Sequence, residues 1–124
     1  MDAIAFQVAD VFDAMKIAAG VELHALCADG GATRNGSLMQ FQADVLGCDV
    51  LRSETEELSS VGAAWLGGVT LGWWKTPAGP AAGMRVGERF CARMAAEARN
   101  ELRQRWREAV QRTLTGQTLT REVA

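Results

Sequence analysis

At 124 residues and 13.3 kDa the chain has room for one domain. Its composition, 48% apolar and 23% charged, is that of a folded globule and excludes a disordered chain. A net charge of −2 and a pI near 5.4 exclude a uniformly basic nucleic-acid binder.

Asp2 to Gly20 predicts an amphipathic helix, because Ile4, Val8, Val11, Phe12, Met15 and Ala19 recur at three- and four-residue steps. Asp2 suits its start and Gly20 its end. Glu22 to Ala28 is short and mostly apolar, and Asp29-Gly30-Gly31 follows it. That pattern predicts a buried strand running into a tight turn. A second helix is predicted over residues 34–46, with Leu38, Phe41, Val45 and Leu46 on one side and Gly47 as its stop. Cys48 to Arg52 predicts a second strand. Ser53 and Glu56 have capping-box spacing for a third helix over about 57–73.

That third helix is apolar all round, which predicts burial on most faces and places Trp65 in the core. Trp73 and Trp74 are adjacent at its end, so one of them faces outward unless covered. Gly62, Gly67, Gly68 and Gly72 lower its helix propensity and fit only where something packs close to the backbone. The apolar stretch from Val61 to Trp74 falls short of the ~20 residues a membrane span needs. Residues 76–88, rich in Pro and Gly, read as a loop or hinge, though Val86 to Cys91 has extended character. Residues 94–114 predict the terminal helix, with Leu102, Trp106, Ala109, Val110 and Thr113 along one stripe.

Charge is uneven along the chain. Residues 1–60 hold ten acids against Lys16, Arg34 and Arg52, and residues 85–112 hold eight Arg. The Glu101–Arg105 and Glu108–Arg112 spacings make the arginine-rich helix a solvated face rather than a nucleic-acid surface. Cys27, Cys48 and Cys91 are odd in number and not in CxxC spacing, which predicts a reducing, cytoplasmic setting. With His24 as the single histidine, no zinc pattern exists. His24 and Cys27 read as packing residues of the first strand, and Asp29 as a residue that shapes the turn.

The alternation of helix and strand predicts an α/β layer fold with two core parallel strands. Two parallel strands make a poor sheet alone, so the expectation is a helix-rich part of a larger α/β domain. Leu26 to Asn35 (L-C-A-D-G-G-A-T-R-N) is the most informative segment. A glycine turn between strand and helix lets a ligand approach the backbone, and a helix start favours a phosphate. Taken alone, such a turn is more often a plain connection.

D-G-G-A-x-x-N, L-M-Q-F-Q-A-D-V-L-G and G-A-A-W-L-G-G-V-T-L-G-W-W, in this order, resemble the carboxy-terminal part of the FGGY carbohydrate kinase family. The first helix, A-I-A-F-Q-V-A-D-V-F-D-A-M, and the ending R-Q-R-W-R-E-A-V-Q-R-T-L resemble family segments too, so the likeness covers nearly the whole chain. The L-M-Q-F-Q-A-D-V-L-G run leans toward the family's glycerol-phosphorylating members over its pentulose kinases. The resemblance implies a partial ribonuclease-H-like, actin-like ATPase domain, with residues 1–124 a carboxy-terminal fragment of the second such domain. It implies ATP or ADP with Mg²⁺ as cofactor, and glycerol or a related polyol as substrate of the complete enzyme. It implies Gly30 and Gly31 at the nucleotide phosphates and turn, and Asn35 at the adenine. It also implies a homo-oligomer, with no nucleic acid or membrane partner. The family's catalytic base and polyol pocket lie in segments with no counterpart here, so no catalytic or metal residue is expected and the chain alone is expected to be inactive. Other readings are another FGGY sugar kinase such as a xylulokinase, and a non-catalytic oligomerising α/β module.

Overall fold

The computed structural model describes residues 2–55, 57–76 and 85–118. In chain order these form α1 (Asp2–Ala19), β1 (Ala25–Ala28), a 3-10 turn (Gly31–Arg34), α2 (Gly36–Leu46) and β2 (Asp49–Ser53). Next come α3 (Leu58–Thr70), β3 (Val86–Phe90) and α4 (Ala96–Thr118). α1 ends where Gly20 turns left-handed, at φ 64°, and its N–H returns to the Lys16 carbonyl at 3.0 Å. α2 ends the same way at Gly47, φ 71°, whose N–H reaches the Ala43 carbonyl at 2.8 Å.

The sheet has the order β1-β2-β3. β1 and β2 are parallel and in register, Leu26 opposite Val50 and Cys27 opposite Leu51. β3 adds an antiparallel strand to β2, Val50 opposite Phe90 and Leu51 opposite Arg89, with an irregularity between Leu51 and Ser53. The expected parallel pair is thus present, and the sheet is a small mixed one. The expected loop over 76–88 is corrected at its end, because Val86, Gly87 and Glu88 are strand residues. Charge pairing across the strands explains their place: Arg52 meets Glu88 at 3.0 Å, and Arg89 pairs with Asp49. Residues 77–84 of that expected loop lie outside the described residues.

The core lies between α1, α2 and the sheet. Ala5, Leu38, Met39, Ala43, Val50 and Phe90 pack as one cluster. Phe6, Ala9 and Val45 form a second, against Phe41, Leu46, Leu102 and Trp106. Phe6 stacks on Trp106 at 5.4 Å and meets the Phe41 ring edge-on at 5.8 Å. α4 is therefore more than a solvated face. Arg103 pairs with Asp13 of α1, and the Trp106 indole N–H donates to Asp10 at 2.8 Å.

Three expectations of burial fail. α3 is mostly exposed, with Gly68 its one buried residue, and Trp65 is half-buried. Apolar composition set that expectation, yet no described element covers the helix. Leu66, Leu71 and Trp73 stand open, Trp73 at 71%. β1 is an edge strand and alternates exposed and half-buried residues, so Cys27 is exposed. His24 precedes the strand and is exposed as well. The close approach expected at the glycines occurs at Gly68, where a Cβ would run into the Trp74 ring; Gly62 and Gly67 face open space.

The Arg89 guanidinium donates to Asp49 and holds its carboxyl below the ordinary carboxylate range. The folded chain then stays deprotonated in a window where the unfolded chain binds a proton, so stability rises with pH there. The contribution is complete above about pH 4 and is lost as pH falls through the lowered value. Urea denaturation of the wild type and Arg89→Gln should show a stability gap at neutral pH that closes in strong acid. A gap independent of pH would show that the pair does not join β2 to β3.

Candidate nucleotide site

The carboxyl end of β1 runs straight into the glycine turn. Gly30 has φ 89° and ψ 170°, which residues with a Cβ avoid. Its carbonyl accepts both the Thr33 hydroxyl at 2.7 Å and the Thr33 N–H at 3.0 Å. Asn35 N–H donates to the Ala32 carbonyl at 3.2 Å. These bonds fold residues 31–34 into one 3-10 turn and leave the backbone of Gly30 and Gly31 against open space, with no atom within 4 Å of where a Cβ would stand. This is the arrangement a phosphate needs to reach a backbone closely.

Asn35 is the N-cap of α2. Its Oδ1 accepts from Leu38 N–H at 3.0 Å. The acceptor half of the amide is thereby used inside the protein. Gly30, Gly31 and Asn35 thus share one turn at the carboxyl end of a parallel strand, the edge where open α/β sheets place their ligands.

Two supporting residues escaped sequence reasoning as to their role. Asp29 shapes more than its own turn: its Oδ2 accepts from Leu58 N–H at 3.1 Å and caps the start of α3. Ser53, the expected cap, instead accepts from Thr55 N–H at 3.0 Å, and its expected partner Glu56 lies outside the described residues. Arg52, at the end of β2, donates to the Thr33 carbonyl at 3.4 Å while holding Glu88. Beside the turn, Thr33, Arg34, Arg52, Ser53, Glu54 and Gly87 line a polar cleft of about 270 Å³. Gly87 keeps this cleft's wall thin, since a Cβ there would press on Glu54 Cγ at 3.2 Å.

No metal ligand set is present among the described residues: no three His, Cys, Asp or Glu side chains converge on one position. The three cysteines are free thiols. Burial pushes the Cys48 thiol above its ordinary value, which makes it a poor nucleophile near neutral pH.

A parallel strand pair, a positive-φ glycine turn and a capped helix form an α/β layer with its turn open at the carboxyl end of β1. Residues 1–71 match the model of the FGGY family of carbohydrate kinases, C-terminal domain, and the chain belongs to this family. Glycerol kinases are among its curated relatives. It is 46% identical over 113 residues to that of Oleidesulfovibrio alaskensis, and 46% over 114 residues to that of Dechloromonas aromatica. These matches cover 91% and 92% of this chain. A solved Plasmodium falciparum glycerol kinase with ADP superposes with a TM-score of 0.73 at 33% identity, over 91% of this chain. The fold is accordingly part of an actin-like ATPase domain. The chain spans 23% of the length of each of these three proteins. No helix among the described residues is long and apolar enough to cross a membrane.

Asp29→Ala should loosen α3 without disturbing α2. The loss of a cap corresponds to about 1 kcal/mol. Hydrogen exchange should show faster exchange at the Leu58 amide with Leu38 unchanged. An unchanged Leu58 amide would mean that the carboxylate does not cap the helix.

Proposed function

We propose that this chain supplies the adenine-nucleotide side of an ATP-dependent glycerol kinase. The observation that carries the reading is the open backbone of Gly30 and Gly31, held by the Thr33 bonds at the carboxyl end of β1. The names of the relatives support glycerol over a pentulose as the polyol, and the ADP of the Plasmodium falciparum structure supports an adenine nucleotide. The free thiols of Cys27 and Cys91, both exposed, support a cytoplasmic setting.

Bound ATP supplies the phosphoryl group to be transferred. Within the chain, Gly30 and Gly31 admit the phosphates to the backbone and Asn35 offers its NH₂ to an acceptor nitrogen of the base. Arg52 keeps the turn in place through the Thr33 carbonyl. Asp29 ties the same turn to α3. Proton transfer is assigned to no residue here, and Mg²⁺ to no ligand.

Asn35→Ala would remove the cap and the base contact together. Asn35→Asp separates them, because a carboxylate still caps α2 but offers no donor. In this variant ADP affinity should fall roughly tenfold, the equivalent of about 1.4 kcal/mol, with the thermal midpoint unchanged. Titration calorimetry reads the first and a thermal melt the second. Unaltered ADP affinity would reduce Asn35 to a helix cap.

Phosphoryl transfer requires both reactants to be positioned, along with a metal and a base. A coupled ADP-release assay of this chain with ATP, Mg²⁺ and glycerol should therefore show no glycerol-dependent turnover. Turnover above the rate without glycerol would place a catalytic group within these 124 residues.

A further inference from the structure

Two ion pairs join β2 to β3, and they lie on opposite faces of the sheet. Arg89 pairs with Asp49 on the face that carries Leu51. Arg52 and Glu88 meet at 3.0 Å on the other face, the one that Val50 and Phe90 present to the core. The ladder between the two pairs is irregular. Leu51 stands opposite Arg89 and Ser53 opposite Val86, so Arg52 alone faces both Gly87 and Glu88. Two residues against one is the count of a β-bulge, which bends the strand and re-aims a side chain. The shifted register continues past it, where the Glu54 N–H donates to the Arg85 carbonyl at 3.2 Å. Gly87 lets the bulge lie close, since a Cβ there would stand 3.2 Å from Glu54 Cγ and 3.4 Å from the Arg52 carbonyl.

The Arg52 guanidinium is divided between two partners. Its Nη2 meets the Glu88 carboxylate, and its Nη1 donates to the Thr33 carbonyl at 3.4 Å. The second bond is long and by itself a weak hold on a flexible side chain. The first is charge-assisted and stronger. Because the guanidinium is a rigid plane, fixing one edge aims the other. We propose that Glu88 is a positioning residue for the nucleotide turn. It holds Nη2 of Arg52, thereby aims Nη1 at the Thr33 carbonyl, and so sets the 3-10 turn beside the open backbone of Gly30 and Gly31. The proposal rests on the reading of that turn as the nucleotide site. Thr33 is 5% exposed, and its N–H and hydroxyl both donate to the Gly30 carbonyl. A displacement at the Thr33 carbonyl therefore passes to Gly30 instead of dissipating into solvent. The Arg89–Asp49 pair, on the face away from the turn, serves the strand junction. β3, remote from the glycine turn in sequence, thus acts on it through one side chain of β2.

Calorimetric titration with ADP and amide hydrogen exchange of the full chain test this. Glu88→Gln keeps the shape of the side chain and removes its charge, and the 53% exposure of Glu88 makes the change compatible with folding. It should weaken ADP binding about fivefold. Without nucleotide, it should speed exchange at the Thr33 amide and leave the Leu38 amide unchanged. Glu88→Asp keeps the charge and should bind ADP within about twofold of the wild type. Arg89→Gln breaks the outer pair and should leave ADP affinity unchanged. In an Arg52→Met background Glu88→Gln should have no further effect, because both changes remove one shared contact. Unchanged ADP affinity or unchanged Thr33 exchange in Glu88→Gln overturns the proposal while the nucleotide reading stands. So does an equal loss of affinity in Arg89→Gln, which would make any strand pairing sufficient. A Glu88→Asp variant as weak as Glu88→Gln, or a full Glu88→Gln effect in the Arg52→Met background, overturns it as well. A wild type that binds no ADP overturns the nucleotide reading, and the proposal falls with it.

Discussion

The amide of Gln42 is 3% exposed and donates to the Ala5 carbonyl at 3.1 Å. A buried amide without a partner would cost a few kcal/mol, so α2 and α1 fit only in the register that makes this bond. Two more polar side chains of α2 act at its other side. Gln40 donates to the Cys91 carbonyl at 2.9 Å, and Asp44 accepts from the Arg93 N–H at 2.6 Å and the Met94 N–H at 3.1 Å. The same helix begins at Asn35 and so receives the end of the glycine turn. One eleven-residue helix thus orients α1, the site and the approach to α4. In the run L-M-Q-F-Q-A-D-V-L-G the apolar residues fill the core, while Gln42 holds the α1 backbone and Gln40 and Asp44 hold the backbone of residues 91–94.

α1 and α2 were legible from periodicity because each buries its apolar face within this chain. The parallel pair was legible because short apolar runs bounded by turn residues need little context. α3 was misread for a physical reason. Its apolar residues record a preference for burial, and composition carries no information on whether a covering surface is present. The same applies to Cys27 and His24, whose exposure follows from the edge position of β1. β3 was legible as an extended stretch, but its place in the sheet was not, for the opposite reason. Val86-Gly87-Glu88-Arg89-Phe90 buries only Phe90, and its place depends on ion pairs with Arg52 and Asp49, far away in sequence.

At the site, local chemistry was readable and long-range support was not. Gly30 adopts a backbone that demands glycine, and a D-G-G sequence after a strand signals that. The roles of Asp29 and Arg52 depend on partners at Leu58 and Thr33, which a turn motif does not specify. Asn35 shows a further limit. The resemblance implies a base contact, whereas its position before α2 equally implies a cap, and the structure shows the cap. The two roles are compatible because they use opposite halves of one amide.

The two ends of the chain are joined by different physics. α1, α2 and the β1–β2 pair meet through buried apolar side chains, Val45 and Val50 being fully enclosed. Among described residues beyond 85, Phe90 alone is buried, and apart from the β2–β3 ladder and half-buried Leu102 the remaining attachment is polar or aromatic at the rim. Arg89 to Asp49, the 93–94 amides to Asp44, Trp106 to Asp10 and Arg103 to Asp13 all end on carboxylates. The acidic first half and arginine-rich last third seen in the composition are therefore two sides of one internal contact. Charge that reads along the sequence as a solvated helix, or as a footprint for an outside polyanion, is partly used within the molecule.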